Sequence, residues 1–427
     1  MISKSTPLVL RAAIASLFFG AVCVAGTARG DDAPRYRLRL DGAVPQGVVT
    51  PILVEAPALE VGNYDLVDEA GGSKSTVQVM IDGTIKRLAT RIAGNGKTTR
   101  SFTLNKVAET TQTRAGTKAG PGLVDGVKVR ETAQGDVEVT VGGRPFTTYH
   151  PGGGGSAKPY YFPLLTPRGI GVTRAYPMVK DVPGEDRDHP HQRSLWFTHG
   201  SVNGIDFWSE QKGHGIIKET ARIAVNQGPV IGCIHTTDDW LGPDGVRICS
   251  DERWLRVLPV DDVVLVDFEV ALKSEPKAPA TFGDTKEGMF GLRVASSMDA
   301  NRKPGGRIVN SEGLVDDAAW GKPAKWVDYS GPVGGKTVGV AVFDHPDNLR
   351  HPTTWHVRSY GLFAANPFGW KDFGMKKSGS YTLAPGQRRT FRYRLVIHDG
   401  GGDPARLERY YEGFAHAPRA TIEPIGR

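Results

Sequence analysis

The seven residues from Arg187 to Arg193, RDHPHQR, hold two histidines on either side of a proline, an acid before them and an arginine at each end. Proline disfavours the helical region for the residue before it, so we expect His189 to be extended. Residues two apart in an extended chain point the same way, which predicts that His189 and His191 share a face with the terminal arginines, while Asp188 lies on the other. Like charges destabilise one another in a low dielectric, so this row is expected to face a water-filled cleft or a bound acidic group.

A second polar stretch, TWHVRSYG, has the alternation of a strand. An extended chain places His356, Arg358 and Tyr360 on one face and turns Trp355 toward the core. The stretch EGMFGLRVASSM supplies a further candidate base, Glu287, at one end of a predicted strand. We expect the two histidine-containing stretches to meet in a single cleft.

Aromatic residues follow RDHPHQR at once, in SLWFTHGSVNGIDFWSE. Trp196 and Trp208 stand there among polar residues such as Asn203. Aromatic faces beside fixed polar groups are how proteins hold sugar rings. A tryptophan taken alone is more often part of a core. We predict that these three residues bind substrate.

Three classes of function fit these residues. The first is an enzyme that acts on a sugar or sugar acid without a metal or other cofactor, in which one histidine is the general acid and a second histidine or Glu287 is the base. Four arginines are candidates to hold its carboxylate or developing oxyanion: Arg174, Arg193, Arg293 and Arg358. The second is an enzyme with a divalent metal, in which His189 and His191 join a third ligand such as His356 or Glu287. The third is a carbohydrate-binding protein that performs no chemistry.

The first 30 residues have the pattern of a secretory signal peptide: Lys4 and Arg11 without any acid, an apolar run, then the small residues of AGTARG, a stretch that also includes Arg29. The apolar run, residues 12–24, is shorter than the roughly 18–20 residues that a membrane-spanning helix needs. Lipid attachment at Cys23 is an alternative. We therefore predict a periplasmic or secreted protein without a membrane span.

The charge balance disfavours nucleic acid as a partner. Removal of the first 30 residues lowers the count of Lys and Arg from 53 to 50 against 46 acids, so the net charge falls from +7 to about +4. Nucleic-acid binding would need a denser basic stripe. The small excess still allows a local arginine pocket for a carbohydrate or acidic sugar, and protein partners stay open.

Glycine and proline, with 54 and 29 residues, separate many short alternating apolar runs, which is typical of an all-β protein. One run is VVLVDFEVAL, in which Val264, Val266 and Phe268 share a face. The sequence DPARLERYYEGF predicts one helix near the C-terminus, with Asp403 as its N-cap and Pro404 at its first position.

The length of the chain predicts more than one domain. A polar stretch rich in Thr and Gly, residues 108–122, reads as a linker. It would separate a small accessory β-sandwich, residues 31–107, from a large β-rich body, residues 123–420. Two cysteines remain after the signal peptide, Cys233 and Cys249. The sequence is compatible with a disulfide between them and equally with two free thiols.

Six stretches together resemble a bacterial family of unknown function whose members are often labelled PmoA or methane oxygenase PmoA. They run from about residue 124 to the C-terminus: YYFPLLTPRGIGVTRAYP, RDHPHQRSLWFTHGSVNGIDFW, GRIVNSEG, WGKPAKWVDYSG, FDHPDNLRHPTTWHVRSYGLFAANPFG and YRLVIHDG. The family commonly has a third histidine where this chain has Gln192. The resemblance implies a secreted protein of carbohydrate breakdown whose body is similar to the β-supersandwich of galactose mutarotases. A membrane-bound oxygenase subunit would need several spanning helices, so the label is not taken as an activity.

Overall fold

The computed structural model describes residues 35–107, 126–153 and 155–426, which belong to one compact unit. These residues form an all-β fold with one α-helix near the C-terminus, as predicted. The predicted signal peptide, residues 1–30, and the predicted linker, residues 108–122, both lie outside the described residues. Within the described ranges, no helix has the length and apolar character needed to cross a membrane.

Seven antiparallel strands form the N-terminal sheet, in the order β2-β5-β4-β3-β6-β1-β25 with strands numbered along the chain. They are β1 (Tyr36–Asp41), β2 (Val49–Glu55), β3 (Gly62–Asp68), β4 (Lys74–Asp82), β5 (Ile85–Ala93), β6 (Thr99–Lys106) and β25 (Arg419–Pro424). The last strand comes from the C-terminus and pairs with β1. No local pattern in the sequence indicates this pairing of the two ends of the described chain.

Eight strands form a second sheet, here called the site sheet, in the order β21-β22-β17-β11-β10-β9-β8-β7. They are β7 (Val127–Glu131), β8 (Val137–Val141), β9 (Arg144–His150), β10 (Tyr160–Tyr161), β11 (Leu195–His199), β17 (Gly288–Arg293), β21 (Thr354–Val357) and β22 (Leu362–Asn366).

Eight further strands form the central sheet, in the order β12-β13-β14-β15-β24-β20-β19-β18. They are β12 (Ile216–Asn226), β13 (Gly232–Leu241), β14 (Arg247–Val260), β15 (Val263–Ser274), β18 (Arg307–Asn310), β19 (Trp326–Val333), β20 (Lys336–Asp344) and β24 (Arg388–Asp399). Two short strands, β16 (Ala280–Phe282) and β23 (Tyr381–Leu383), pair separately.

The main core lies between the site sheet and the central sheet. Phe268 of the central sheet contacts Phe197 and Phe290 of the site sheet, with ring centroids 6.3 and 4.9 Å apart. Phe290 also stacks on Tyr393 at 4.6 Å. The alternation predicted for β15 is confirmed, because Val264, Val266 and Phe268 all lie in this core.

The opposite face of the central sheet is covered by the N-terminal sheet and by α1 (Pro404–Ala415). The helix begins as predicted, since the Asp403 side chain accepts a hydrogen bond from the amide of Ala405 and Pro404 needs no hydrogen-bond acceptor. Apolar side chains one turn apart, including Leu407 and Tyr411, pack on the central sheet. The outer face of the site sheet is therefore the face left for a functional site.

Gln78 joins the N-terminal sheet to the central sheet. Its buried Oε1 accepts hydrogen bonds from the amides of Val230 (3.2 Å) and Ile231 (3.1 Å), and its Nε2 donates to the carbonyl of Gln227 (3.1 Å). Arg91 adds a hydrogen bond to the carbonyl of Pro259 at 2.6 Å. The predicted domain boundaries remain predictions, and these contacts are what a separable N-terminal domain would expose.

Cys233 and Cys249 are both buried free thiols. Cys249 lies opposite Trp240 in the β13–β14 pair, whereas Cys233 lies opposite Arg256. The two cysteines do not lie opposite each other in this strand pair. Of the two alternatives, a disulfide and two free thiols, the structure shows free thiols.

Replacing Gln78 with Leu tests this interface. The change leaves two buried amides without an acceptor, and each unsatisfied buried group costs roughly 1–3 kcal/mol. We expect the free energy of unfolding, measured with urea, to fall by about 2 kcal/mol. The matched control is Gln211→Leu at an exposed position. Equal stability of the two variants would contradict the role given to Gln78.

Candidate functional site

Four apolar residues form the floor of the outer face of the site sheet: Trp196, Trp208, Leu362 and Ala364. This tryptophan floor exists because β11 turns Phe197 into the core and Trp196 outward. Each tryptophan is only 1% exposed, and their rings meet edge to face at 5.3 Å. The prediction that Trp196 and Trp208 bind substrate is therefore corrected, because neither offers an open face to a sugar ring.

The stretch of residues 187–193, here called the histidine turn, is not extended as predicted. His189 has φ of 43°, and the amide of Gln192 donates to its carbonyl at 3.0 Å, which makes a turn around Pro190. The two imidazoles nevertheless lie together, with ring centroids 5.6 Å apart. Asp188 bonds to His189 rather than pointing away, so its predicted placement was wrong.

Two buried arginines hold the histidine turn through Asp188. Arg174 Nη1 lies 2.5 Å and Arg293 Nη2 3.0 Å from Asp188 Oδ1. Arg174 also donates to the carbonyl of His189 (2.9 Å), and Arg293 to the side-chain oxygen of Gln192 (2.6 Å). Neither arginine has exposed surface, and these contacts hold the turn in place; their predicted contact with a carboxylate of the substrate stays a prediction.

Asp188 in turn orients His189. Burial raises the pKa of Asp188, but the charges of Arg293 and Arg174 and the hydrogen bond with His189 outweigh it and lower the pKa below its ordinary value. The ionised carboxylate accepts the Nδ1–H of His189 at 2.6 Å. In the neutral ring Nε2 then carries the lone pair. His189 is thus arranged as a general base with 44% of its side chain exposed.

The two predicted stretches meet where His189 stacks on Tyr360, with centroids 5.6 Å apart and planes 9° from parallel. The guanidinium of Arg358 lies 5.6 Å from the Tyr360 ring and 5.5 Å from the Trp320 ring, and the buried guanidinium of Arg293 lies 4.9 Å from the Tyr360 ring. Within the described ranges, Arg358 forms no ion pair and no side-chain hydrogen bond. A half-buried cation framed by two aromatic rings is therefore available to an anionic ligand.

His356 lies beside this cation. Its Nδ1–H donates to the carbonyl of Lys286 at 2.8 Å, and its ring contacts Trp320 and Phe373. Burial lowers the pKa of His356 to about 4, and the charge of Arg358 also lowers it, whereas the hydrogen bond with Lys286 raises it. With 2% of its surface exposed, His356 is a neutral wall of the site rather than an open acid or base.

His191 borders a cluster of paired charges. Lys158, which is fully buried, donates to Glu210 at 2.6 Å, and Arg193 approaches the same carboxylate at 3.5 Å. Burial lowers the pKa of His191 to about 4, and the charges of Lys158 and His189 add to this effect. Arg193 also donates to the carbonyl of Gly155 at 2.7 Å. Arg193 is thus mainly occupied within the protein.

Glu287 and Asn203 are the two remaining predicted residues. Glu287 has a side chain 33% exposed and 3.3 Å from Lys286 Nζ, and its charge acts on Tyr360. It therefore stays a candidate second base. Asn203 donates to the carbonyl of Pro279 (3.1 Å) and accepts from the amide of Thr281 (2.7 Å). These bonds hold the turn after β11 against β16, and the predicted contact of Asn203 with substrate stays a prediction.

Sequence reasoning missed two members of the site, Trp320 and Lys158. Trp320 lies in the stretch WGKPAKW, which is part of one of the six stretches that carry the family resemblance. Lys158 ends the glycine-rich tract PGGGGSAK, where a lysine normally suggests a solvated loop. Only a contact between distant segments distinguishes these residues from their neighbours.

A metal held by His189 and His191 remains an alternative prediction. No group of three or more His, Cys, Asp or Glu side chains with metal-binding geometry occurs in the part of the chain that the structure describes. The His189 Nδ1 atom is already bonded to Asp188. A metal there would take its other ligands from water or substrate.

The chain belongs to a family of unknown function, DUF6807, whose model matches residues 136–412. No curated protein matches the chain. Among solved structures it is similar to an alpha-mannosidase from Enterococcus faecalis V583, with a TM-score of 0.36 and 11% identity over 92% of this chain and 46% of that chain. This chain thus spans about half the length of that protein, and so low a TM-score does not establish a common fold.

Replacing Asp188 with Asn removes the anion that two buried arginines share. Loss of one partner of a buried ion pair costs roughly 3–5 kcal/mol. Because Asp188 is itself partly exposed, we expect the lower value, about 3 kcal/mol, in the free energy of unfolding measured with urea. The control in the same segment is Asp181→Asn, whose ion pair with Arg187 is exposed and contributes about 0–1 kcal/mol. A loss no larger than that of the control would contradict the positioning role.

Titration by NMR tests the electrostatics of the two buried imidazoles. We expect midpoints near pH 4 for His191 and His356, below the unfolded value of 6.5, so both rings are neutral at pH 7. The stability that depends on these neutral rings is complete above pH 6.5 and is lost as the pH falls through about 4. The variants His191→Gln and His356→Gln assign the resonances. Midpoints at or above 6.5 would show that the rings are solvated.

Proposed function

We propose that this protein is a carbohydrate-active enzyme that binds an acidic sugar at Arg358 and transfers a proton through His189. The observation that supports this most is the guanidinium of Arg358, which lies against Trp320 and Tyr360 without an ion pair among the described residues, while His189 stacks on the same Tyr360 ring. A carboxylate is the natural partner of such a cation, because planar guanidinium and carboxylate groups form paired hydrogen bonds.

The arrangement favours abstraction of a proton beside a carboxylate over hydrolysis. Glycoside hydrolysis normally uses two carboxyl groups that flank the scissile bond. Here Asp188 is engaged by Arg174, Arg293 and His189, which leaves Glu287 as the carboxylate with freedom to act. A base at His189 and a cation at Arg358 suit the removal of the proton next to the sugar's carboxylate, with charge building on the oxygens that Arg358 holds.

Two outcomes follow from that first step. Return of the proton to the opposite side of the carbon gives an epimer, and departure of the neighbouring oxygen substituent gives an unsaturated sugar acid. The second route also needs a proton for the leaving oxygen, which is either the proton that His189 has taken up or one from water, since His191 and His356 are neutral at pH 7. The proposal includes periplasmic or secreted localisation, which rests on the pattern of the first 30 residues.

Calorimetric titration with glucuronate and glucose tests the proposal. Replacing Arg358 with Met should weaken glucuronate binding about 10- to 150-fold, because a hydrogen bond to a charged group is worth roughly 1.5–3 kcal/mol. Glucose affinity should be unchanged, and Arg358→Lys should keep part of the preference. The control is Arg388→Met, an exposed arginine paired with Glu252 on the central sheet. Equal affinity of the wild-type protein for both sugars would contradict the proposal.

Activity is followed on the same panel. Incubation of uronic acid oligomers with the wild-type protein should give an epimer or an unsaturated product, and His189→Gln should abolish its formation while leaving binding in place. Retained binding without turnover in the wild-type protein would favour the third class, a carbohydrate-binding protein. Turnover that depends on added divalent metal would favour the second.

A further inference from the structure

A second partly exposed aromatic ring lies on the same face, across the tryptophan floor from Tyr360. Tyr160 of β10 packs against this floor, as Tyr360 does. The Tyr160 ring stacks on His150 with centroids 4.6 Å apart and planes 23° from parallel. Arg193 lies 5.8 Å from the Tyr160 ring. The Tyr160 hydroxyl forms no hydrogen bond within the residues that the structure describes.

The separation of the two tyrosines exceeds the size of one sugar ring. Tyr360 directly precedes β22, and Tyr160 belongs to β10. The strand order β22-β17-β11-β10 places three inter-strand steps between them. Neighbouring strands lie about 4.8 Å apart, so the two rings are separated by roughly 14 Å across the sheet. A ligand that contacts both must contain more than one sugar unit.

The charges near Tyr160 distinguish it from the Arg358 end. The cations Lys158 and Arg193 are matched by Glu210 and Asp206, which both act on this cluster. His150 contacts Asp136 at 3.1 Å. No surplus cation is therefore left to fix a second carboxylate. What this end presents to a ligand is the partly exposed pair of rings formed by Tyr160 and His150, which suits the apolar face of a sugar.

We infer that the ligand is a chain of sugar units, with an acidic unit at Arg358 and a further unit packed against the ring pair of Tyr160 and His150. His189 and His191 lie along the path between these two contacts, since His189 stacks on Tyr360 and His191 interacts electrostatically with Lys158. The inference rests on the proposed function, because the acidic unit is placed by Arg358. It adds that the substrate is an oligosaccharide or polysaccharide.

Calorimetric titration with glucuronate and with uronic acid oligomers of increasing length tests this inference. We expect the wild-type protein to bind the longer oligomers about two- to tenfold more tightly than the monomer, as expected for one added aromatic contact. Tyr160→Leu keeps apolar contact with the floor but loses the aromatic face, so it should remove the gain with length. The matched control, Tyr160→Phe, should retain the gain, because the hydroxyl has no partner.

The monomer serves as the internal check. Unchanged monomer affinity in Tyr160→Leu shows that the variant is folded and that the Arg358 end is intact. Monomer binding without any gain for longer oligomers in the wild-type protein overturns the inference and leaves the proposed function standing. A gain that persists in Tyr160→Leu overturns the placement at Tyr160. Absence of monomer binding, or binding that Arg358→Met does not weaken, overturns the proposed function and the inference with it.

Discussion

The carboxylate of Asp188 is the contact on which the candidate site depends. It is bound by Arg174 and Arg293, two arginines without exposed surface, and it holds the Nδ1–H of His189. Buried cations are costly unless they are paired, so the fold tolerates these arginines only while Asp188 is ionised and in place. The same carboxylate fixes the tautomer of His189 and leaves its Nε2 free in the neutral ring. The same carboxylate of Asp188 thus stabilises the histidine turn and sets the tautomer of His189.

Layering of the sheets decides where such a site can lie. The central sheet is covered on one side by the site sheet and on the other by the N-terminal sheet and α1. The outer face of the site sheet carries the tryptophan floor, and partly exposed rings stand at its two sides. Arg358 differs from the other predicted arginines because, among the described residues, its guanidinium makes no side-chain hydrogen bond or ion pair, whereas Arg174, Arg193 and Arg293 use their donors within the protein. Arg358 has no acidic partner among the described residues, and the proposed binding of an anionic ligand rests on this cation.

Local patterns predicted the elements, and contacts between distant segments decided the roles. The alternation of β15 and the Asp403 cap of α1 depend on neighbours in sequence, so both were predicted correctly. The turn at His189 was missed, because the hydrogen bond from Arg174 to its carbonyl comes from another segment. In the sequence, Trp196 and Trp208 fit a sugar site and an apolar core equally well. Only their packing against Leu362 and Ala364 of β22 shows that they are part of a buried apolar cluster. The pairing of β25 with β1 joins the two ends of the chain and has no local signal.

The proposed binding of an acidic sugar at Arg358 is tested most directly by a crystal structure with a bound uronic acid disaccharide. We predict that a carboxylate of the ligand lies within hydrogen-bonding distance, about 2.7–3.2 Å, of the Arg358 guanidinium, and that His189 Nε2 faces the carbon beside it. A disaccharide bound elsewhere on the protein, with Arg358 still unpaired, would contradict the claim.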